Sequence, residues 1–163
     1  MKRIVTNTLL VIIFFIMDNT LMPFLAIYGY YPSLLFIFAL CYSMLNERWY
    51  ALGMGIICGF LQDIYFFNGF GVNMLLNMLL CLIAGEIGRS LFKEKMFIPV
   101  ISIFCLTFIK GLCIYEILHM SGLYSNIYNS VFNAVYSFFI AIIMYRVIYK
   151  LYQKQYMIRN WKI

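Results

Sequence analysis

The sequence predicts an all-α, polytopic membrane protein of six transmembrane helices, and three observations carry that prediction. First, 65% of the 163 residues are apolar and only 11% are charged, with a mean hydropathy of +0.91. A soluble domain carries roughly 25% charged residues and about 45–50% apolar ones. Second, the apolar residues fall into six stretches of near membrane-spanning length. Third, threading those stretches through a bilayer leaves eleven of the twelve Lys and Arg residues on one side. Such a composition excludes a cytosolic globular fold, and it excludes disorder, which requires low hydrophobicity. The formal charge of +6 does not indicate nucleic acid, because few of the positive residues can share a soluble face.

Crossing the hydrocarbon core takes about 20 apolar residues. The first span is Ile4–Met22. Lys2-Arg3 and the apolar run to Met17 resemble the opening of a signal peptide, but Asp18-Asn19 and the lack of a small-x-small cleavage site predict retention. The second, Pro32–Asn46, is short, so a tilted, thin-membrane or partly re-entrant passage is expected there. Trp49–Phe67, Phe70–Arg89, Phe97–Leu118 and Ile127–Tyr149 follow. Connections such as Glu47–Arg48 and Ser90–Met96 are too brief for a soluble domain, and the chain reads as one integral membrane domain, 1–163, ending in a basic tail over 150–163.

Positive flanks stay cytoplasmic. Six spans with an inward N-terminus place Lys2, Arg3, Arg48, Arg89, Lys93, Lys95, Arg146, Lys150, Lys154, Arg159 and Lys162 inside, and only Lys110 within a span. Both termini are therefore expected in the cytoplasm. Aromatics support that frame: Tyr28, Tyr30, Tyr31 and Tyr65 gather at the outer ends, and Trp49, Tyr50, Tyr149 and Trp161 at the inner ones. The basic tail is expected to lie against anionic headgroups. The five cysteines all fall inside spans without CxxC spacing, as packing residues do.

Water cannot satisfy polar groups in the bilayer core, so they turn toward other helices or a wet cavity. At about 100° per residue, Asn73, Asn77, Cys81, Ala84 and Gly88 share one stripe of the fourth span. Asn126, Ser130, Asn133, Ser137 and Ala141 share one of the last. Such stripes serve intramolecular packing, a partner or a ligand. The third span places Gly55, Gly59 and Asp63 four residues apart on one face, two close-approach points leading to a carboxylate. Four ionisable residues, Asp18, Asp63, Lys110 and Glu116, sit in the outer halves of spans. A charge at mid-membrane costs about 2.5–3.5 kcal/mol on the insertion scale, so each needs a partner or water. Lys110 is the deepest, with Asp63 or Asp18 as its candidate partner; Lys110 and Glu116 point about 120° apart. A structural ion pair, a partner-binding role and a transport or catalytic role all remain open for this set. Glu86 and Arg89 read as an interfacial pair.

Catalytic chemistry finds little support. The length resembles that of lipoprotein signal peptidases, yet the residue clusters expected around two catalytic acids are missing. Gly59-Phe60-Leu61-Gln62-Asp63 is not a GxGD motif, and HExxH, GxSxG and Walker sequences are absent. No cofactor and no metal site is expected.

The block Gly55-Ile-Ile-Cys-Gly59-Phe-Leu-Gln-Asp63, the turn Phe66-Phe67-Asn68-Gly69-Phe70-Gly71, and the small-residue ending Ala84-Gly85-Glu86-Ile87-Gly88-Arg89 resemble the bacterial rod shape-determining protein MreD family. Gln62, at a position often apolar in that family, and Glu86 depart from the pattern. The resemblance implies a non-enzymatic scaffold in the cytoplasmic membrane, part of the cell-elongation (rod) complex. It implies binding to the bitopic protein MreC, and an indirect link from MreB filaments to a SEDS glycosyltransferase and a class B penicillin-binding protein. Gly55, Gly59, Asp63, Gly69, Gly71, Asn73 and Asn77 are then the helix-packing or partner-contacting residues. Nothing about Asp18, Lys110 or Glu116 is carried over. The family's fold is also similar to the substrate-binding S-components of energy-coupling-factor vitamin transporters, which supplies a competing expectation of a vitamin-binding subunit with an outward cavity near Asp63. The partners expected beyond these are the lipid bilayer and, compatibly, further copies of the chain.

Overall fold

The computed structural model describes residues 2–26, 31–65, 71–90, 97–122 and 128–153. These form six helices: α1 (Lys2–Thr20), α2 (Leu34–Leu45), α3 (Arg48–Tyr65), α4 (Val72–Ser90), α5 (Phe97–Met120) and α6 (Tyr128–Tyr152). The protein is all-α, and α1, α4, α5 and α6 are long and apolar enough to cross a membrane. The other two helices differ for separate reasons. At about 1.5 Å per residue α2 rises only about 18 Å, against a hydrocarbon core of about 30 Å. The third helix carries Arg48, three glycines, Gln62 and Asp63, which lower its apolarity.

The shortest helix occupies the centre. It packs against each of the other five, and every residue from Leu34 to Met44 is buried. A helix that is apolar all round belongs in a protein interior, which is why its sequence shows no polar stripe. Around it, α3 pairs with α4, α5 pairs with α6, and α1 lies along the outside of α2.

One end of the bundle collects Asp18, Asp63 and the N-termini of α2 and α4; the other collects Arg3, Arg48 and Glu86. Along α4 the stripe Asn73, Asn77, Cys81, Ala84 and Gly88 is buried, whereas Leu75, Leu79 and Ile83 face outward. On α6, Ser130, Ser137 and Ala141 are likewise buried. In lipid such faces meet through close packing and hydrogen bonds, because apolar burial between helices gains little over contact with acyl chains. Gly69, Asn126, Trp161 and the basic tail beyond 153 lie outside the described residues.

Candidate functional site

The site grows from the α3–α4 contact. A Cβ placed on Gly55 would stand 2.7 Å from the Asn77 carbonyl oxygen, and one on Gly59 would stand 2.7 Å from that of Asn73 and collide with Met74 Cα. Backbone therefore meets backbone, and only glycine permits it. One turn further along α3, Asp63 reaches the start of α4. Its Oδ1 accepts the Asn73 N–H at 2.9 Å, and its Oδ2 accepts those of Gly71 at 3.1 Å and Met74 at 2.9 Å. The first N–H groups of a helix have no intrahelical acceptor, so the carboxylate of one helix caps the next. Gly71, at φ +96°, adopts the left-handed conformation that lets the chain enter α4 in this register.

Asp18 does the same for α2. Its Oδ1 accepts the Leu34 N–H at 2.6 Å, and its Oδ2 accepts the Leu35 N–H at 3.1 Å and the Ser33 hydroxyl at 2.7 Å. Ser33 is the N-cap, its Oγ accepting from the Phe36 N–H at 3.2 Å. At the far end of α2 the Arg3 guanidinium donates to Asn46 Oδ1. Thus α1 sets an acid at the N-terminus of α2 and a base near its C-terminus, the arrangement that a helix dipole favours.

Gln62 joins these pieces. Its Nε2 donates to Ser33 Oγ at 2.6 Å; its Oε1 accepts from Lys110 Nζ and from Asn77 Nδ2, both at 2.8 Å. Lys110 is 8% exposed, and its ammonium also lies 4.2 Å from the centroid of the Phe36 ring. A continuous chain of hydrogen bonds therefore runs from Lys110 through Gln62 and Ser33 to Asp18. Two carboxylates, one ammonium and two helix N-termini of about half a charge each balance to near neutrality. Beside Lys110 lies a cavity of about 140 Å³, lined by Ser33, Phe36, Asn73, Asn133 and Ser137 among others. Asn73 Nδ2, Asn133 Oδ1 and Ser137 Oγ have no hydrogen-bond partner among the described residues.

The geometry brings Gly55, Gly59, Asp63, Gly71, Asn73 and Asn77 together on the α3–α4 contact, and draws Asp18 and Lys110 into the same polar cluster. One expectation needs correction. Lys110 forms no ion pair with Asp18 or Asp63 among the described residues, because backbone N–H groups and Ser33 already engage both aspartates. Glu116, by contrast, lies exposed on α5. The Glu86–Arg89 pair is present at 4.0 Å, and Glu86 also pairs with Arg48, whose Nη2 donates to Oε2 at 2.7 Å. Two residues at the centre of the cluster escaped the sequence reading: Gln62, which registered only as a departure from a family pattern, and Ser33. The signal for Ser33 was present, since Pro-Ser before an unbroken apolar run is an N-cap signature.

A buried polar cluster that ties five helices together, in a bundle with four helices long and apolar enough to cross a membrane, defines a polytopic helical membrane protein whose Asp18, Asp63 and Lys110 bond within the bundle. Neither a solved structure nor a curated protein matches the chain significantly. The family model for rod shape-determining protein MreD matches residues 1–155, and the chain belongs to that family, which acts in determining rod shape.

Proposed function

We propose that this protein is a non-enzymatic membrane scaffold of the bacterial cell-elongation complex, binding MreC and linking MreB filaments to a SEDS glycosyltransferase and a class B penicillin-binding protein. In this reading it resides in the cytoplasmic membrane with both termini inside, so the Asp18–Asp63 end faces outward and the Arg3–Arg48 end faces the cytoplasm. Family membership supports the role in cell shape. The observation that carries the non-enzymatic part is the engagement of both aspartates: all four carboxylate oxygens accept bonds from the starts of α2 and α4. Capping the otherwise unsatisfied N–H groups of two helix starts accounts for both carboxylates without any chemical step.

The alternative is a vitamin-binding transporter subunit. Against it, the polar cavity of about 140 Å³ is well below the roughly 300–1,000 Å³ of ligand pockets. Depletion of the protein in its rod-shaped host, followed by microscopy, separates the two. Rods that become round support the scaffold; unchanged rods that acquire a vitamin requirement support the transporter subunit.

A further inference from the structure

A separate groove of about 710 Å³ runs between α1 and α3, floored by Tyr42 of α2. Its walls are Ile4, Thr8 and Val11 on one side and Met54, Ile57 and Leu61 on the other. Each set recurs at helical spacing, so the groove follows the helix axes. At one end stand Arg3, Trp49 and Tyr50. Beyond the other end the Phe15 and Tyr65 rings meet edge-on, centroids 6.4 Å apart. Side chains of α1 and α3 thus meet beyond the groove at the aspartate end, through Phe15 and Tyr65, and at its arginine end, through Arg3 and Tyr50. From Trp49 to Leu61 the wall extends about 18 Å, close to one leaflet of a core about 30 Å thick.

Two residues point to what fills it. A Cβ on Gly53 would meet nothing within 4 Å, unlike Gly55 and Gly59 on the adjoining face. Glycine inside a helix costs stability relative to alanine, and no neighbour among the described residues accounts for this one. Arg3 donates to the neutral Asn46 and lies 5.5 Å from the centroid of the Tyr50 ring, with no carboxylate in ion-pair range among the described residues. A guanidinium has five donors, so it retains both charge and donors for an anion at the groove mouth.

We propose that the α1–α3 groove holds one anionic phospholipid of the leaflet at the arginine end, its phosphate on Arg3 and an acyl chain lying past Gly53 toward Leu61. The site is amphipathic in the same sense as the lipid, with interfacial aromatics at headgroup level and apolar walls beyond. A partner helix fits less well, because a spanning helix would run into the Phe15–Tyr65 contact and brings no obligatory anion to Arg3.

Native mass spectrometry of the full chain, with palmitoyl-oleoyl phosphatidylglycerol and the matching phosphatidylcholine added in turn, tests the site. The wild type should retain one phosphatidylglycerol with about fivefold preference, the worth of one basic residue at an anionic surface. Arg3→Gln should abolish the preference. Gly53→Phe should expel the tightly held lipid of either kind while melting as the wild type does, and Ile143→Phe, on an exposed part of α6, should change nothing. Equal retention of the two lipids by the wild type, or normal retention by Gly53→Phe, overturns the proposal. So does displacement of a co-purifying bitopic protein by Gly53→Phe with lipid retention unchanged.

Discussion

The ammonium of Lys110 donates to the amide oxygen of Gln62, 2.8 Å away, and to neither aspartate. A buried charge resting on a neutral acceptor makes that acceptor costly to remove. Gln62→Leu leaves Lys110, Asn77 and Ser33 each short of a partner, at about 1–3 kcal/mol per orphaned buried group. Lys110→Met added to Gln62→Leu should recover part of the loss, because the charge leaves with its acceptor. Thermal melting of the purified single and double variants checks this; strict additivity would show that the two residues do not interact.

The aspartates give a second prediction. Asp63→Ala orphans three N–H groups at the start of α4 and should destabilise the protein by more than about 2 kcal/mol. Asp63→Asn retains a capping oxygen and should keep most of both stability and rod shape in complemented cells. If Asp63 moved protons instead, Asp63→Asn would fold normally and fail completely. Asp18→Asn and Asp18→Ala should divide in the same way at α2.

The glycines of α3 should separate sharply. At Gly59 a Cβ strikes the α4 backbone, so Gly59→Ala should cost about 1–3 kcal/mol through overpacking. At Gly53 a Cβ meets open space, so Gly53→Ala should be neutral or stabilising by up to about 1 kcal/mol. Membrane abundance and melting temperature of the two variants provide the comparison. Equal effects would contradict the packing described for this helix.

At the opposite end, Arg48 and Glu86 form an exposed pair. Exposed pairs contribute about 0–1 kcal/mol. Glu86→Gln should therefore shift the melting temperature little, and less still in high salt. A large loss would mean that the pair anchors something more than itself.

What was legible in the sequence followed from periodicity and composition. The six helices and the spacing of Gly55, Gly59 and Asp63 depend on residue order along one helix, and the inward stripe of α4 could be drawn from Asn73 to Gly88 alone. What was hidden depends on which helices are neighbours. The central position of α2 is one case: twelve residues, apolar but for Ser43, look like a weak span until five other helices surround them. Lys110 is another, because spacing can show that a charge is buried but not that an amide on α3 reaches it before either carboxylate. Ser33 and Gln62 looked ordinary for the same reason, since their importance comes from the residues they join.

The scaffold assignment is tested most directly by co-purification. The full chain, affinity-tagged and extracted from membranes of its host in mild detergent, should bring down MreC without crosslinking. Asp63→Asn should bring it down about as well, and Asp63→Ala should lose it in step with its own folding. A stable, correctly folded wild-type protein that recovers no MreC at native expression levels would contradict the assignment.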